Sequence, residues 1–218
     1  MTPLVRCVGL SKTYRTGPQQ IHAVIDVNRA FYPGTLVALT GPSGSGKSTL
    51  LGLLAGYDTP DQGHVDWAPG VDPQAWTCVS VVPQSLGLAG DRTLAENVEL
   101  ALRLAGHKRG GQDRGSYLLL AQDLGLTQVL NRYPAQVSLG QQQRLAVLRA
   151  ACTAPRVMLL DEPTAHQDIL NAECLHRLLR RMAEAGTCVI ATTHSAELMH
   201  KADVRLDMRD GQLLAPSS

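Results

Sequence analysis

No apolar stretch of the 218-residue chain approaches the about 18 residues that a helix needs to cross a bilayer. The opening MTPLVRCVGLSKTY also lacks the apolar core of a signal peptide, so the expectation is a cytosolic protein that does not cross a membrane by itself. Excess charge is missing too. Lys and Arg number 20 against 19 Asp and Glu, a formal net charge of +1. That balance gives no electrostatic footprint for nucleic acid beyond what a local basic patch would supply. Cysteine is sparse: Cys7, Cys78, Cys152, Cys174 and Cys188 form an odd number without a CxxC pair. Buried free thiols in a reducing compartment fit this pattern better than a disulfide framework or a zinc site. There is no internal repeat and no low-complexity tract, and the length suits one sizeable core with a smaller subdomain.

What is present centres on Leu36 to Ala55, LVALTGPSGSGKSTLLGLLA. A short apolar run (Leu36, Val37, Ala38, Leu39, Thr40) stops at Gly41, and an apolar periodic segment starts at Lys47, which gives the order strand, glycine loop, helix. The loop Gly41, Pro42, Ser43, Gly44, Ser45, Gly46, Lys47, Ser48, Thr49 fits GxxxxGK[ST]. Gly41, Gly44 and Gly46 permit positive φ and carry no side chain, so successive backbone N–H groups can turn inward around a polyphosphate. The following helix aims its positive dipole end at the same anion. Lys47 then reaches the β and γ phosphates, and the Ser48 hydroxyl is placed to ligate Mg²⁺.

Around this unit the pattern predicts antiparallel strands over Leu4 to Leu10 and Ile21 to Phe31, with SKTYRTG as the turn between them. Tyr14 in that turn either stacks on an adenine base or packs on a sheet edge. Gly56 stops the first helix, TPDQGHVDW reads as turn plus strand, and Val79 to Val82 is a short strand ending on Pro83 and Gln84. Helical texture follows. Thr93 caps a helix with Glu96 three residues on. The stretch RLAGHKRGGQDRGS (103–116) reads as a solvated basic loop, with contact to lipid headgroups or a membrane partner as the alternative. A helix is predicted over Ser116 to Leu124, and another begins after Gly140 and stops before Pro155. Val157 to Leu160 is a continuous apolar strand ending in Asp161, Glu162 and Pro163. A helix over about Asn171 to Ala185, a strand from Cys188 to Thr192 ending at His194, and a hairpin VRLDMRDGQLL turning at Asp210 and Gly211 complete the chain.

Four polar groups thus fall at the carboxyl ends of separate apolar strands: the glycine loop, Gln84, Asp161 with Glu162, and His194. In open parallel sheets the ligand crevice lies there. Asp161 is suited to hold Mg²⁺ directly or through water, Glu162 to orient and deprotonate an attacking water, His194 to donate to the γ-phosphate, and Gln84 to sense metal and water. Singly, such residues are often helix caps or structural groups, and it is their joint placement that points to one Mg-nucleotide site.

The set GPSGSGKST, VVPQ, VSLGQQQR, VMLLDEPTAHQD and ATTHS, in this order, resembles the ATP-binding subunit of ABC (ATP-binding cassette) transporters over nearly the whole chain. SLGQQQR just upstream of the DEP strand is the specific element. The resemblance implies an α/β fold, a P-loop NTPase of ABC type. Its mixed RecA-like sheet core and antiparallel β subdomain would span about 1–84 and 156–218, with an inserted α-helical subdomain over about 85–155. It makes Gly41 to Thr49 the Walker A motif, Asp161 and Glu162 the end of Walker B with its catalytic glutamate, and Gln84 the Q-loop glutamine. His194 becomes the switch histidine, Asp168 the D-loop aspartate, Tyr14 the aromatic on adenine, and Ser138, Gly140 and Gln141 the signature loop. Two departures stand out: Leu139 where glycine is commonest, and His166 and Gln167 in place of small apolar residues before Asp168.

Ser138 and the amides that start the following helix form a second anion site, which in the family reaches the γ-phosphate bound to another copy. The implied assembly is a homodimer, or a pairing with a related cassette, around two ATP and Mg²⁺, on the cytoplasmic face of a membrane and bound to an integral membrane permease. Hydrolysis removes the γ-phosphate that both faces grip, so the dimer loosens and works on its partner. The chain ends soon after the hairpin, which disfavours members with a regulatory C-terminal domain. GPSGSGKSTLLGLLAGYDTPDQG and RTLAENVELAL look most like the branch serving lipoprotein release, macrolide export and cell-division signalling. A soluble ABC-type ATPase acting on DNA or ribosomes would need a coiled-coil insertion or tandem cassettes with a basic linker, and neither is present. A small P-loop kinase or GTPase would leave SLGQQQR unexplained.

Overall fold

The computed structural model describes residues 1–106 and 113–214. The chain opens with two long strands, β1 (Val5–Thr16) and β2 (Gln19–Phe31), followed by β3 (Leu36–Thr40), the helix α1 (Lys47–Leu54) and β4 (Gln62–Trp67). After β5 (Val79–Val82) come the helices α2 (Leu94–Leu104), α3 (Asp113–Asp123) and α4 (Leu139–Ala151). The remainder alternates: β6 (Val157–Asp161), α5 (Ile169–Glu184), β7 (Cys188–Thr192), α6 (Ala196–Lys201), β8 (Val204–Arg209) and β9 (Gln212–Leu213).

Two sheets result. One has the order β2-β1-β4, all antiparallel, and the other the order β5-β6-β7-β3-β8-β9, parallel except for β9. The larger sheet is covered on both faces, which is why its strands read as unbroken apolar runs. Along β6, Val157 and Leu159 enter the core shared with α1 and the three-stranded sheet, whereas Met158 and Leu160 enter the core shared with α2, α3, α4 and α5. In β7 the same alternation sends Cys188 and Ile190 one way and Val189 and Ala191 the other. Because β3, β5, β6 and β7 run parallel, their carboxyl ends share one edge, and the polar residues that follow them are forced into one neighbourhood.

Several sequence expectations are corrected. SKTYRTG is not a turn: β1 continues through it, Tyr14 pairs with Ile21 inside the ladder, and the reversal falls at Gly17 and Pro18. Register shifts between Cys7 and Thr13 disturb the alternation there, and that irregularity mimicked a strand end. The last hairpin exists, but β8 is also a parallel neighbour of β3 and so belongs to the central sheet. The α6 helix, capped by the Ser195 side chain, was too short to show periodicity. Helix α4 starts at Leu139, so Gly140 lies inside its first turn and does not precede it. Helix α5 starts at Ile169, two residues before Asn171. Helix α2 extends through Leu104, α3 begins three residues ahead of Ser116, and the core of the expected basic loop, 107–112, lies outside the described residues.

Candidate nucleotide site

The glycine loop is held by its neighbours as much as by its own turn chemistry. Gly41 and Gly46 have φ of 137° and 103°, and a Cβ on either would collide with a main-chain oxygen, of Met208 and Ala23 respectively. The loop therefore lies pressed between β8 and β2, and only glycine fits. Ser45 adds a backbone link, accepting from Gly211 N–H at 3.1 Å. Lys47 is 7% exposed, and its ammonium donates to the carbonyls of Gly41 (2.8 Å) and Pro42 (2.9 Å). Phosphate oxygens are stronger, charged acceptors for that group than neutral carbonyls.

At the end of β6, one side chain holds the Asp161 carboxylate and the Glu162 main chain. The Thr192 hydroxyl, fully buried on β7, donates to Asp161 Oδ1 (2.6 Å) and accepts from Glu162 N–H (2.9 Å). Glu162 sits at φ 51°, a left-handed conformation that costs a non-glycine residue about 1–3 kcal/mol. Its carbonyl accepts from Gln143 Nε2 and from Ala165 N–H (3.1 Å), so both sides of the strained peptide are fastened. The Glu162 side chain points back over the cleft, with Oε1 3.2 Å from His194 Nε2, close in distance but without hydrogen-bond alignment.

A cleft of about 590 Å³ collects most of the sequence-selected residues: Tyr14, Ser43 to Thr49, Gln84, Asp161, Glu162 and His194, with Ile21 and Ala23 on the β2 side. Gly41 and Pro42 line the adjoining hollow on the far side of His194. Tyr14 is 39% exposed and fixed by its hydroxyl, which donates to Asp58 Oδ2 at 2.6 Å, while Lys12 Nζ stands 5.4 Å from its ring centre. Hydrogen bonds from Lys12 and Tyr14 hold the Asp58 carboxyl down at about 2. The ring is thus held in one orientation, partly exposed at the lining of the cleft.

Ser138, Gly140, Gln141 and Asp168 are not brought into that cleft. They line a separate depression of about 350 Å³ with Arg144, Gln167 and Asn171, and only Leu139 and His166 border both. Within it Ser138 and Gln141 form a capping box: Ser138 Oγ accepts from Gln141 N–H (3.2 Å) and Gln141 Oε1 from Ser138 N–H (3.0 Å). Asp168 caps α5, accepting from both nitrogens of Asn171, and those bonds hold its carboxyl below the usual range.

Sequence reasoning missed four positioning groups. Thr192 lay inside the ATTHS segment chosen only for His194. Gln143 was one of three adjacent glutamines. Gln167 was noted only as a departure, yet it donates to Gly140 O (3.0 Å) and accepts from Arg144 Nη1 (2.6 Å). Arg144 is 7% exposed and burial lowers its pKa, so the amide and the charge of Asp168 are what compensate it. Gly140 has no Cβ because His166 O and the Gln167 amide occupy that space.

Residues 24–165 match the protein family described as ABC transporter. The chain belongs to that family. The chain is 31% identical, over 97% of both chains, to the ATP-binding cassette MJ0796 solved as a dimer in a post-hydrolysis state with ADP and Pi, with a TM-score of 0.86. A second dimeric structure of MJ0796, described as a bacterial ABC transporter cassette, aligns at a TM-score of 0.88 with 29% identity over 97% of both chains. Among curated relatives, the macrolide export ATP-binding/permease protein MacB of Azoarcus sp. (strain BH72) is 33% identical over 98% of this chain. The ABC cassette described here spans 34% of that relative's length. Its fold is that of the P-loop ABC ATPases, and it is an ATPase.

Proposed function

We propose that the chain binds and hydrolyses Mg-ATP between two copies and uses the cycle to drive a transmembrane permease partner from the cytoplasmic face of a membrane. The observation that carries this reading is the separation of two half-sites on one chain. The glycine loop with Glu162 and His194 opens into one cleft, while Ser138 and its capped amides open into another. A twofold-related copy supplies the missing half to each. Ile169 and Leu170, 78% and 80% exposed directly after Asp168, give that seam an apolar patch to bury. The dimeric MJ0796 cassettes support the same arrangement.

Within each site, Tyr14 faces the base, the amides from Gly41 to Thr49 surround the phosphates, and Lys47 exchanges its loop carbonyls for phosphate oxygens. The Ser48 hydroxyl, the Asp161 carboxylate and the Gln84 side chain offer only hard or neutral oxygens, a donor set that suits Mg²⁺. Ser48 and Gln84 are exposed and line the cleft. The metal, when held there, neutralises charge on the β and γ oxygens. Glu162 takes the proton of the attacking water while the bond from the γ-phosphorus to the bridging oxygen breaks, giving ADP and phosphate. His194, 3.2 Å from Glu162, bridges that carboxylate and the terminal phosphate. From the partner copy, Ser138 and the amides at Gly140 and Gln141 grip the same phosphate, and Asp168 lies at the seam. The helices α2 to α4, inserted between β5 and β6, form the helical subdomain that carries Ser138. The match to MacB and the GPSGSGKSTLLGLLAGYDTPDQG segment support the branch of macrolide export, lipoprotein release and cell-division signalling.

Glu162→Gln tests the reading. It keeps ATP binding, lowers turnover by about 10²–10⁴-fold, the usual contribution of a general base, and elutes as a dimer with Mg-ATP on gel filtration. A variant that stays monomeric and hydrolyses at the wild-type rate overturns it.

A further inference from the structure

Between α5 and α6 lies a polar cluster whose residues do not line the nucleotide cleft. Glu173 and His176 are one helical turn apart on α5, and Glu197 faces them from α6. One ligand atom from each falls within 4.8 Å of the others. His176 Nδ1 is 3.4 Å from Glu197 Oε2 and 3.8 Å from Glu173 Oε2. His176 is completely buried, and among the described residues Nδ1 has no hydrogen-bond partner.

The other ring nitrogen explains this geometry. Nε2 stands 3.5 Å from Ser195 Oγ, the oxygen that also accepts from Leu198 N–H to cap α6. With its proton on Nε2 the imidazole donates to that oxygen, and the Nδ1 lone pair then faces two carboxylates. Three electron-rich atoms converge on one point, an arrangement that a cation stabilises.

We propose that Glu173, His176 and Glu197 bind one divalent transition-metal ion of the Zn²⁺ class. Zinc bonds N and O ligands at about 2.0–2.2 Å, which sets tetrahedral neighbours about 3.4 Å apart; His176 Nδ1 already lies 3.4 and 3.8 Å from the two carboxylates, and all three atoms lie within 4.8 Å of one another. The imidazole excludes Mg²⁺ and Ca²⁺, which prefer oxygen throughout. Lys201 Nζ touches both oxygens of Glu173 at 2.6 Å. In the loaded site it keeps Oε1 as a supporting donor while Oε2 turns to the metal. Glu197 is 55% exposed in its side chain and leaves an entry path and room for a solvent ligand. The ion would fasten α6, which starts two residues after His194, to the helix that Asp168 caps.

The test is Co²⁺ titration of the intact protein without nucleotide and with millimolar Mg²⁺ present, read by visible absorption and followed by Zn²⁺ displacement. The expected result is one Co²⁺ per chain with a tetrahedral d–d band. His176→Asn abolishes it, Glu197→Gln raises the dissociation constant at least tenfold, and His194→Ala leaves it unchanged. Glu197 is exposed, so its variant folds even where that of buried His176 does not. No Co²⁺ bound at 100-fold excess over protein, or binding that Glu197→Gln leaves unchanged, overturns the proposal, and so does binding that His194→Ala removes.

Discussion

Thr192→Val isolates the device that holds the two acidic residues in place. The replacement keeps the shape of a fully buried side chain and deletes its hydroxyl, a change that is not energetically neutral in a core. Two interactions go with it: the donor at 2.6 Å to Asp161 and the acceptor at 2.9 Å from Glu162 N–H. A hydrogen bond to a charged group is worth about 1.5–3 kcal/mol, and a stranded buried N–H costs about 1–3 kcal/mol. Asp161 is only part-buried and water recovers some of its loss, so the net expectation is about 3 kcal/mol. For a chain of this size each kcal/mol moves Tm by about 2–4 °C, which places the drop at roughly 6–12 °C. The strained Glu162 peptide also loses an anchor, and a displacement of about 1 Å of a catalytic group costs about 10²-fold in rate. Thermal melts and steady-state phosphate release check both figures, with Thr192→Ser as the control that restores the hydroxyl and the activity. A Tm within 2 °C of wild type together with turnover within about twofold would refute the reasoning from unmade hydrogen bonds.

Other consequences follow from the same geometry. Lys47→Ala removes the ammonium that trades two carbonyls for phosphate oxygens, and equilibrium ATP binding weakens by about 10–10²-fold; unchanged binding refutes the cradle. Burial pushes the thiols of Cys7 and Cys152 up to about 12 and that of Cys188 to about 11. Cys7 and Cys188 are also buried by surface area, so a thiol reagent at pH 8 labels Cys78 and Cys174 in the folded protein and reaches Cys7 and Cys188 only on unfolding, and five equally fast thiols would contradict this. Asp58 is held at about 2, chiefly by the Lys12 hydrogen bond, below its ordinary 3.8. Its folded-state pKa is depressed, so its stabilisation is present above about pH 4 and lost as pH falls towards 2. Denaturant midpoints of wild type and Asp58→Asn differ at pH 7 and converge on acidification; a constant difference would show that charge is not the cause.

The sequence by itself determined the chemistry that short-range order can encode. GPSGSGKST carries its own turn residues, lysine and helix start, so the loop was legible from spacing alone. Val157 to Leu160 and Cys188 to Ala191 are apolar throughout because both faces of the sheet are covered, and their polar successors Asp161, Glu162 and His194 mark the strand ends. What only tertiary structure decided is every relation between residues distant along the chain. No local pattern says that Thr192 bridges Asp161 and Glu162, that Gln143 fastens Glu162, or that Gln167 supports buried Arg144, since each of these contacts spans 19 residues or more. Tyr14 was misplaced in a turn because bulged pairing breaks the alternation that marks a strand, and only the β2 partner restores it. The division of the binding residues between two hollows likewise depends on how α4 and α5 pack beside the sheet, which is a property of the filled core and not of any segment read alone.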